Sequence, residues 1–262
     1  MLIKTSKLFS AELNKNLYPI SADDYFNRTK VSTYNLSTMR LIVRENIKPI
    51  SDNNDLNILD WGCGNSLWAF ALFPKAFVTG VDILKNNLIY SKINAKKNAS
   101  KFRGLLFDRD ISKLRENTFD HAISISLIEF LNKEMFNFIF SKIYASLKPG
   151  GKLFITHHNY RLFSAVYLPW LLRGGYPALK KRMGMDIQKK STREVISDFQ
   201  NIGYICIDSG AFNPYPTKIW PLVSSKKGYL ARNSLIKDWY YTHYIVLQKP
   251  ETNNNMNKGS DK

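Results

Sequence analysis

Apolar and polar positions along this chain switch repeatedly between two periods. Short apolar runs of strand length, closed by acids, glycines or polar turns, alternate with stretches whose apolar residues recur every three to four positions. The runs predict strands near 57–61, 77–82, 103–107, 119–125, 151–157, 204–210 and 242–248. The intervening stretches predict helices near 66–73, 84–98, 133–147 and 191–202, and a further helix near 35–46 leads into them. Strands that alternate with helices predict an α/β fold, a parallel sheet covered on both faces.

The first strand to form such a unit ends in a distinctive way. Ile58 and Leu59 lead to Asp60, and Gly62 and Gly64 follow before a helical stretch. The next apolar run ends in Asp82, 22 residues after Asp60. A chain that leaves a strand and turns at once into a helix needs backbone angles that glycine tolerates. Without a Cβ, glycine also lets a ligand approach the main chain. An acid at the end of the second strand can accept hydrogen bonds from both hydroxyls of a ribose. The turn is not a dinucleotide fingerprint, because the third glycine would fall at 67 and that residue is Leu67. Nor does the chain contain the Gly-x-x-x-x-Gly-Lys of a phosphate-binding P-loop.

Leu59-Asp60-Trp61-Gly62-Cys63-Gly64 resembles the first motif of class I S-adenosylmethionine-dependent methyltransferases. Val78-Thr79-Gly80-Val81-Asp82 resembles their second motif, and Asp108-Arg109-Asp110-Ile111 their adenine-holding stretch. Phe119 to Glu129 resembles the fourth strand and its exit, and Leu147-Lys148-Pro149-Gly150-Gly151 the turn into the fifth. These motifs span residues 55–156 in family order. The resemblance implies a Rossmann-like, seven-stranded, mostly parallel sheet whose last strand is antiparallel and lies inside the edge. It implies S-adenosylmethionine as cofactor, held by Asp60, Gly62, Gly64, Asp82, Asp110, Ile111 and Ser126. Asp60 would act by holding the turn, and Asp110 by bonding the adenine amino group. It also implies an N-terminal segment folded over the cofactor, where Tyr25, Arg28, Tyr34 or Arg40 would meet its carboxylate; the alternative for each is a packing role.

Residues 1–50 are therefore expected to form a cap segment. Residues 51–249 would form the methyltransferase domain, and the polar stretch 250–262 a disordered tail. The piece at 158–190 leaves the sheet edge where ligands bind and should cover the substrate. It carries an apolar run, Leu162 to Leu172, interrupted by Pro169 and followed by Arg173, Lys180, Lys181 and Arg182. That pairing suits either a greasy acceptor with an anionic head or peripheral contact with an anionic membrane surface. A lid with its lysines in water is the alternative.

Charge widens the choice of partner. The chain has 262 residues and a net charge of +17. Residues 85–103 hold Lys85, Lys92, Lys96, Lys97, Lys101 and Arg103 without an acid. Such a surface attracts polyanions, or is simply solvated. Against a nucleic-acid methyltransferase, Ser124-Ile125-Ser126-Leu127 stands where many such enzymes carry Asn/Asp-Pro-Pro-Tyr/Phe. Residues 1–20 lack a signal peptide's apolar core and no run has the length of a membrane span, so the cytoplasm is the expected location. The two cysteines, Cys63 and Cys206, suggest no disulfide framework, and Cys63 reads as a small packing residue in the turn.

Methyl transfer requires a nucleophile in line with a sulfonium, and often a base to take its proton. His157 and His158 stand just past the fifth strand; one should face the site and the other pack away, and His158, at the loop start, is favoured. Glu129 and Tyr160 are further candidates. The layout around 156–161 and 188–194 is similar to that of the ubiquinone-pathway O-methyltransferases. Their fourth motif reads Leu-Glu-His, whereas this chain has Ile128-Glu129-Phe130. No metal-ligand spacing stands out. The function expected is methylation of a small-molecule acceptor, at an oxygen of a hydroxylated, lipid-like or glycan-derived substrate. The alternatives are a nucleic-acid methyltransferase and a non-catalytic protein that keeps the fold.

Overall fold

The computed structural model of the chain describes residues 30–47, 56–158, 190–214 and 240–251. A first helix, α1 (Lys30–Ile47), precedes β1 (Asn57–Trp61), α2 (Leu67–Leu72), β2 (Phe77–Asp82), α3 (Lys85–Lys97) and β3 (Lys101–Leu106). Then come β4 (Phe119–Ile125), α4 (Lys133–Ser146), β5 (Leu147–His158), α5 (Thr192–Ile202), β6 (Ile205–Pro214) and β7 (Tyr240–Gln248). The seven strands form one sheet in the order β3-β2-β1-β4-β5-β7-β6. β1 to β5 run parallel to one another, and β7 runs antiparallel between β5 and β6. This is the Rossmann-like architecture the motifs imply. Strand order reverses at β1, which pairs with both β2 and β4. In open sheets of this kind, ligands bind outside the carboxyl ends of the strands at that reversal.

Alternation along each strand divides the core into two layers. Ile58, Val78, Ile123, Phe154 and Val246 pack with α1 and α2. Leu59, Ala122, Leu153, Ile155 and Leu247 pack with α4 and α5. Leu36, Met39, Val43 and Ile47 recur at helical spacing and give α1 its buried stripe. Phe136, Phe140 and Phe199 lock α4 to α5, with ring centroids 4.7 to 4.9 Å apart.

Several boundaries differ from expectation; β6, for one, runs on to Pro214, past the expected 210. α1 starts at Lys30, ahead of the expected 35. β5 starts at Leu147, because Leu147 already pairs with Phe119 before the register slips; pairing resumes at Lys152 with His121. Gly151 lies in the slip, where a Cβ would come within 2.7 Å of the Lys148 carbonyl oxygen. β3 ends at Leu106 because the Asp110 carboxylate accepts from Leu106 N at 3.0 Å, closing a helical turn over Phe107–Asp110. Tyr25, Arg28, Tyr160, nearly all of the expected lid and tail, and much of the cap lie outside the described residues.

Candidate active site

The turn after β1 is built from left-handed backbone. Gly62 (φ 73°), Gly64 (φ 51°) and Ser66 (φ 54°) all occupy that region. The glycine at 62 also answers a close approach, since a Cβ there would meet the Leu127 side chain at 3.1 Å.

The hydrogen bonds of this turn bear on its ligand. Gly62 N and Cys63 N both donate to Val81 O, at 2.9 and 3.1 Å. Gly64 N donates to Asp82 Oδ2 at 2.9 Å. The amides that would cradle a phosphate are thus consumed within the protein. Two carboxylates lie beneath them instead. Asp60 and Asp82 are 3% and 8% exposed. Burial, with a smaller contribution from the charge of Asp82, pushes the Asp60 carboxyl up to about 7, while the Ser66 hydroxyl pulls the other way. Its Oδ2 has no hydrogen-bond partner among the described residues. Burial also raises the Asp82 carboxyl, against the pull of its Leu84, Gly64 and Asn87 donors. The site is poor in free donors and rich in negative charge. It fits a cationic nucleoside that lacks phosphate, which is the chemistry of S-adenosylmethionine, with its sulfonium and ammonium.

Asp82 is more heavily engaged than the sequence reveals. Its Oδ1 accepts from Leu84 N at 2.8 Å and Asn87 Nδ2 at 3.1 Å, in addition to the Gly64 bond on Oδ2. Both carboxylate oxygens of Asp82 are therefore engaged from within the protein, Oδ1 twice and Oδ2 by the turn. Ile83, directly after it, is 40% exposed and offers an apolar surface beside the acid. Sequence reasoning missed Ile83; an apolar residue immediately after a strand-end acid was the available signal.

The remaining cofactor candidates sit at the same carboxyl edge, and the structure gives each a structural partner. Asp110 follows β3, bonds Leu106 N and forms an ion pair with Lys113, whose ammonium is the main cause of its lowered carboxyl pKa. Ile111 packs onto the core layer of α4 and α5. Ser126 directly follows β4 in left-handed backbone (φ 53°) and donates its N–H to Thr156 O at 3.0 Å. Arg40 donates to Ala71 O at 3.2 Å and so fastens α1 to the end of α2.

The two adjacent histidines part company. His157 is 3% exposed and points beneath α5, where Thr192 Oγ1 lies 3.4 Å from its Nε2 and 2.6 Å from His243 Nδ1. Burial, then the neighbouring His243 and His158, push its pKa down to about 3. His158 turns the other way, as strand alternation requires, and its Nδ1 lies 2.6 Å from Glu129 Oε1. Glu129 is 2% exposed, and its Oε2 has no hydrogen-bond partner among the described residues. Among those residues, no group of three or more His, Cys, Asp or Glu side chains is placed to hold a metal. No described helix is long and apolar enough to cross a membrane.

Comparison with known proteins agrees with this geometry. Residues 52–207 match the model of a methyltransferase domain family. A ubiquinone biosynthesis O-methyltransferase of Rickettsia canadensis is 30% identical over 123 residues, 46% of this chain and 50% of that protein. Its counterpart in Rickettsia typhi is 33% identical over 111 residues, 42% of this chain and 44% of that one. The chain thus spans about half the length of the curated relatives it matches. Among solved structures, a methyltransferase in complex with the Haloferax volcanii activator Trm112 superposes with a TM-score of 0.62 at 13% identity, covering 95% of this chain and 99% of that one. The [4+2]-cyclase SpnF shares the fold at a TM-score of 0.54 and 16% identity, over 82% and 81% of the two chains. With the glycine turn, the paired acids and the sheet order in place, the chain belongs to the class I S-adenosylmethionine-dependent methyltransferases.

Proposed function

We propose that this methyltransferase acts on an oxygen of a hydroxylated small molecule, with His158 as base and Glu129 as its positioning partner. The observation that carries this reading is the 2.6 Å contact between His158 Nδ1 and Glu129 Oε1. β4 and β5 are parallel neighbours, with Ile125 beside Thr156, so His158 at the end of β5 and Glu129 just past β4 share the edge that holds Gly62, Gly64 and Asp82. The Glu129 contact at Nδ1 fixes the orientation of the imidazole, and Nε2 is the atom assigned to take the acceptor's proton. His158 is half-buried, whereas His157 is enclosed and too weakly basic to serve near neutral pH.

S-adenosylmethionine, when bound, supplies an electrophilic methyl group on a sulfonium. Asp60 and Asp82 would offset its positive charge, Gly62 and Gly64 would admit it close to the main chain, and Asp82 would accept from its ribose. Ile83 and Ile111 offer apolar surface to a ring, and Ser126 and Asp110 complete the edge. His158 Nε2 removes the hydroxyl proton of the acceptor as that oxygen becomes the nucleophile.

The acceptor class rests on two supports. The relatives are named for ubiquinone biosynthesis, and the segment after β5 joins an apolar run to a basic one. Both favour a lipid-like hydroxylated acceptor reached by peripheral contact with an anionic membrane surface. A nucleic-acid substrate has one observation in its favour: Lys85, Lys92, Lys96, Lys97, Lys101 and Arg103 are all exposed. Binding to RNA or DNA that weakens steeply with salt, accompanied by methylation of that polymer, would favour it. The test of the first reading is a screen of phenols, hydroxylated lipids and sugars with labelled S-adenosylmethionine. The base assignment requires the methylated atom to be oxygen and the activity to collapse in His158→Ala; an accepted substrate methylated equally well by that variant refutes it.

A further inference from the structure

One face of α3 is unusual. The residues this helix buries are Asn87, Ser91, Asn94 and Ala95, three of them polar. Their exposures are 6%, 0% and 1% for the polar three. Positions 87, 91 and 94 fall on one stripe of a helix, where an amphipathic element normally turns apolar side chains inward. Each of the three reaches the cofactor turn or its acid. Asn87 Nδ2 donates to Asp82 Oδ1 at 3.1 Å. Ser91 Oγ donates to Gly64 O at 3.0 Å. Asn94 Nδ2 donates to Asn65 O at 3.2 Å.

We propose that Asn87, Ser91 and Asn94 are positioning residues that set the cofactor-binding turn and the Asp82 carboxylate in their ligand-ready orientation. This rests on the cofactor reading above. A buried polar side chain costs free energy that its hydrogen bond only repays, so apolar residues would seat the helix at least as well. What the polar stripe adds is direction. Two successive turn carbonyls, Gly64 and Asn65, are drawn toward α3, and this fixes the peptide planes that follow them. The Gly64 N–H is meanwhile aimed at Asp82 Oδ2. Asn87 and Leu84 N occupy Asp82 Oδ1 and so fix the plane of the carboxylate, leaving acceptor capacity on Oδ2. The stripe thus determines which carboxylate oxygen faces a ligand and how close the turn lets it come.

The test is a double-mutant cycle read by calorimetric binding of S-adenosylhomocysteine, which needs neither acceptor nor turnover. Asn87→Ala should weaken binding about tenfold, as expected for one misaligned hydrogen bond. If Asn87 acts through Asp82, the Asn87→Ala, Asp82→Asn double variant binds no more weakly than Asp82→Asn alone. Losses that add in the double variant, or an Asn87→Ala affinity equal to wild type, overturn the proposal. Ser91→Ala, which removes a single oxygen, carries the test if Asn87→Ala does not fold: weaker binding with a melting temperature near wild type supports it, and unchanged binding overturns it. Absence of binding to the wild-type protein is a separate outcome. It refutes the cofactor reading and this proposal with it.

Discussion

The two halves of the carboxyl edge are built on different principles. Around β1, β2 and α3 the site is mainly main chain. Left-handed glycines, internally paired amides and a carboxylate with three donors make a surface whose shape is set before any ligand arrives. At the ends of β4 and β5 the site is side chain: one imidazole and one carboxylate, 29 residues apart, meeting at 2.6 Å. On the proposed reading the first half holds a cofactor of fixed shape, and preorganised backbone suits that task. On the same reading the second meets the acceptor, and side chains at strand ends can vary on a common frame. The [4+2]-cyclase with the same fold shows how far the frame can be separated from a particular chemistry.

If the halves are separable, variants in one should leave the other intact. Asp82→Ala should have the largest effect, weakening S-adenosylmethionine binding by at least about 100-fold, because a charge-assisted acceptor is lost and the Gly64, Leu84 and Asn87 donors are orphaned. Calorimetry on the purified variant measures it. His158→Ala and Glu129→Gln should instead lower kcat, by roughly 100-fold to 1,000-fold for the histidine and less for the glutamate, with cofactor affinity unchanged. A large loss of cofactor affinity in either would erase the distinction between the halves.

The pH dependence sharpens the same contrast within the cofactor half. The Asp60 carboxyl is raised from 3.8 to about 7, so the folded protein holds that proton more tightly than the unfolded chain. Its contribution to stability is therefore complete below pH 3.8 and is lost as pH rises through about 7. Over that window the ligand-free protein should lose stability on the order of a few kcal/mol from this group, and Asp82, raised in the same sense, adds to the slope. Asp60→Asn should flatten the profile in denaturant titrations at pH 5 and 8. A cationic cofactor prefers the ionised carboxylate, so wild-type affinity should rise between pH 6 and 8 and the variant's should not. An identical slope in the variant would remove Asp60 from this role.

The legible parts of the chain were those whose structure is local. Asp60, Gly62, Gly64 and Asp82 are each explained by a strand end or a turn within a few residues, and the strands could be bounded because apolar runs stop where the chain turns. The buried stripe of α3 was not legible. Polar residues at helical spacing read as a solvent face, and Asn87, Ser91 and Asn94 gave no sign that a glycine turn lay against them. The pairing of His158 with Glu129 depends on the register of β4 and β5, which slips near Phe119, and residue spacing does not encode that. The turn after β3 was hidden for a similar reason, since its helical form depends on the reach of Asp110 back to Leu106.

Packing beneath the turn gives a smaller prediction. A Cβ on Gly80 would stand 2.7 Å from the Phe102 ring and 2.8 Å from Cys63 Sγ. Gly80→Ala should cost about 1–3 kcal/mol by overpacking, seen in denaturant midpoints. It should also weaken cofactor binding through displacement of Cys63, inside the turn.

The smallest effect expected lies at the start of α5, and it tests whether the acceptor half has any say in the cofactor half. Ser191 caps this helix. Its hydroxyl accepts from Glu194 N at 3.3 Å, and Glu194 Oε2 reaches back to Ser191 N at 2.7 Å, forming a reciprocal capping box. The next residue, Thr192, supplies the hydroxyl between His157 and His243. Ser191→Ala removes one cap and should cost about 1 kcal/mol of stability, measured by chemical denaturation. Because the cap touches neither the glycine turn nor its acids, cofactor affinity should stay at the wild-type value. A shift in affinity would mean that the anchor of α5 communicates through β5 with the turn after β1, and the two halves of the edge would then have to be treated as one coupled site.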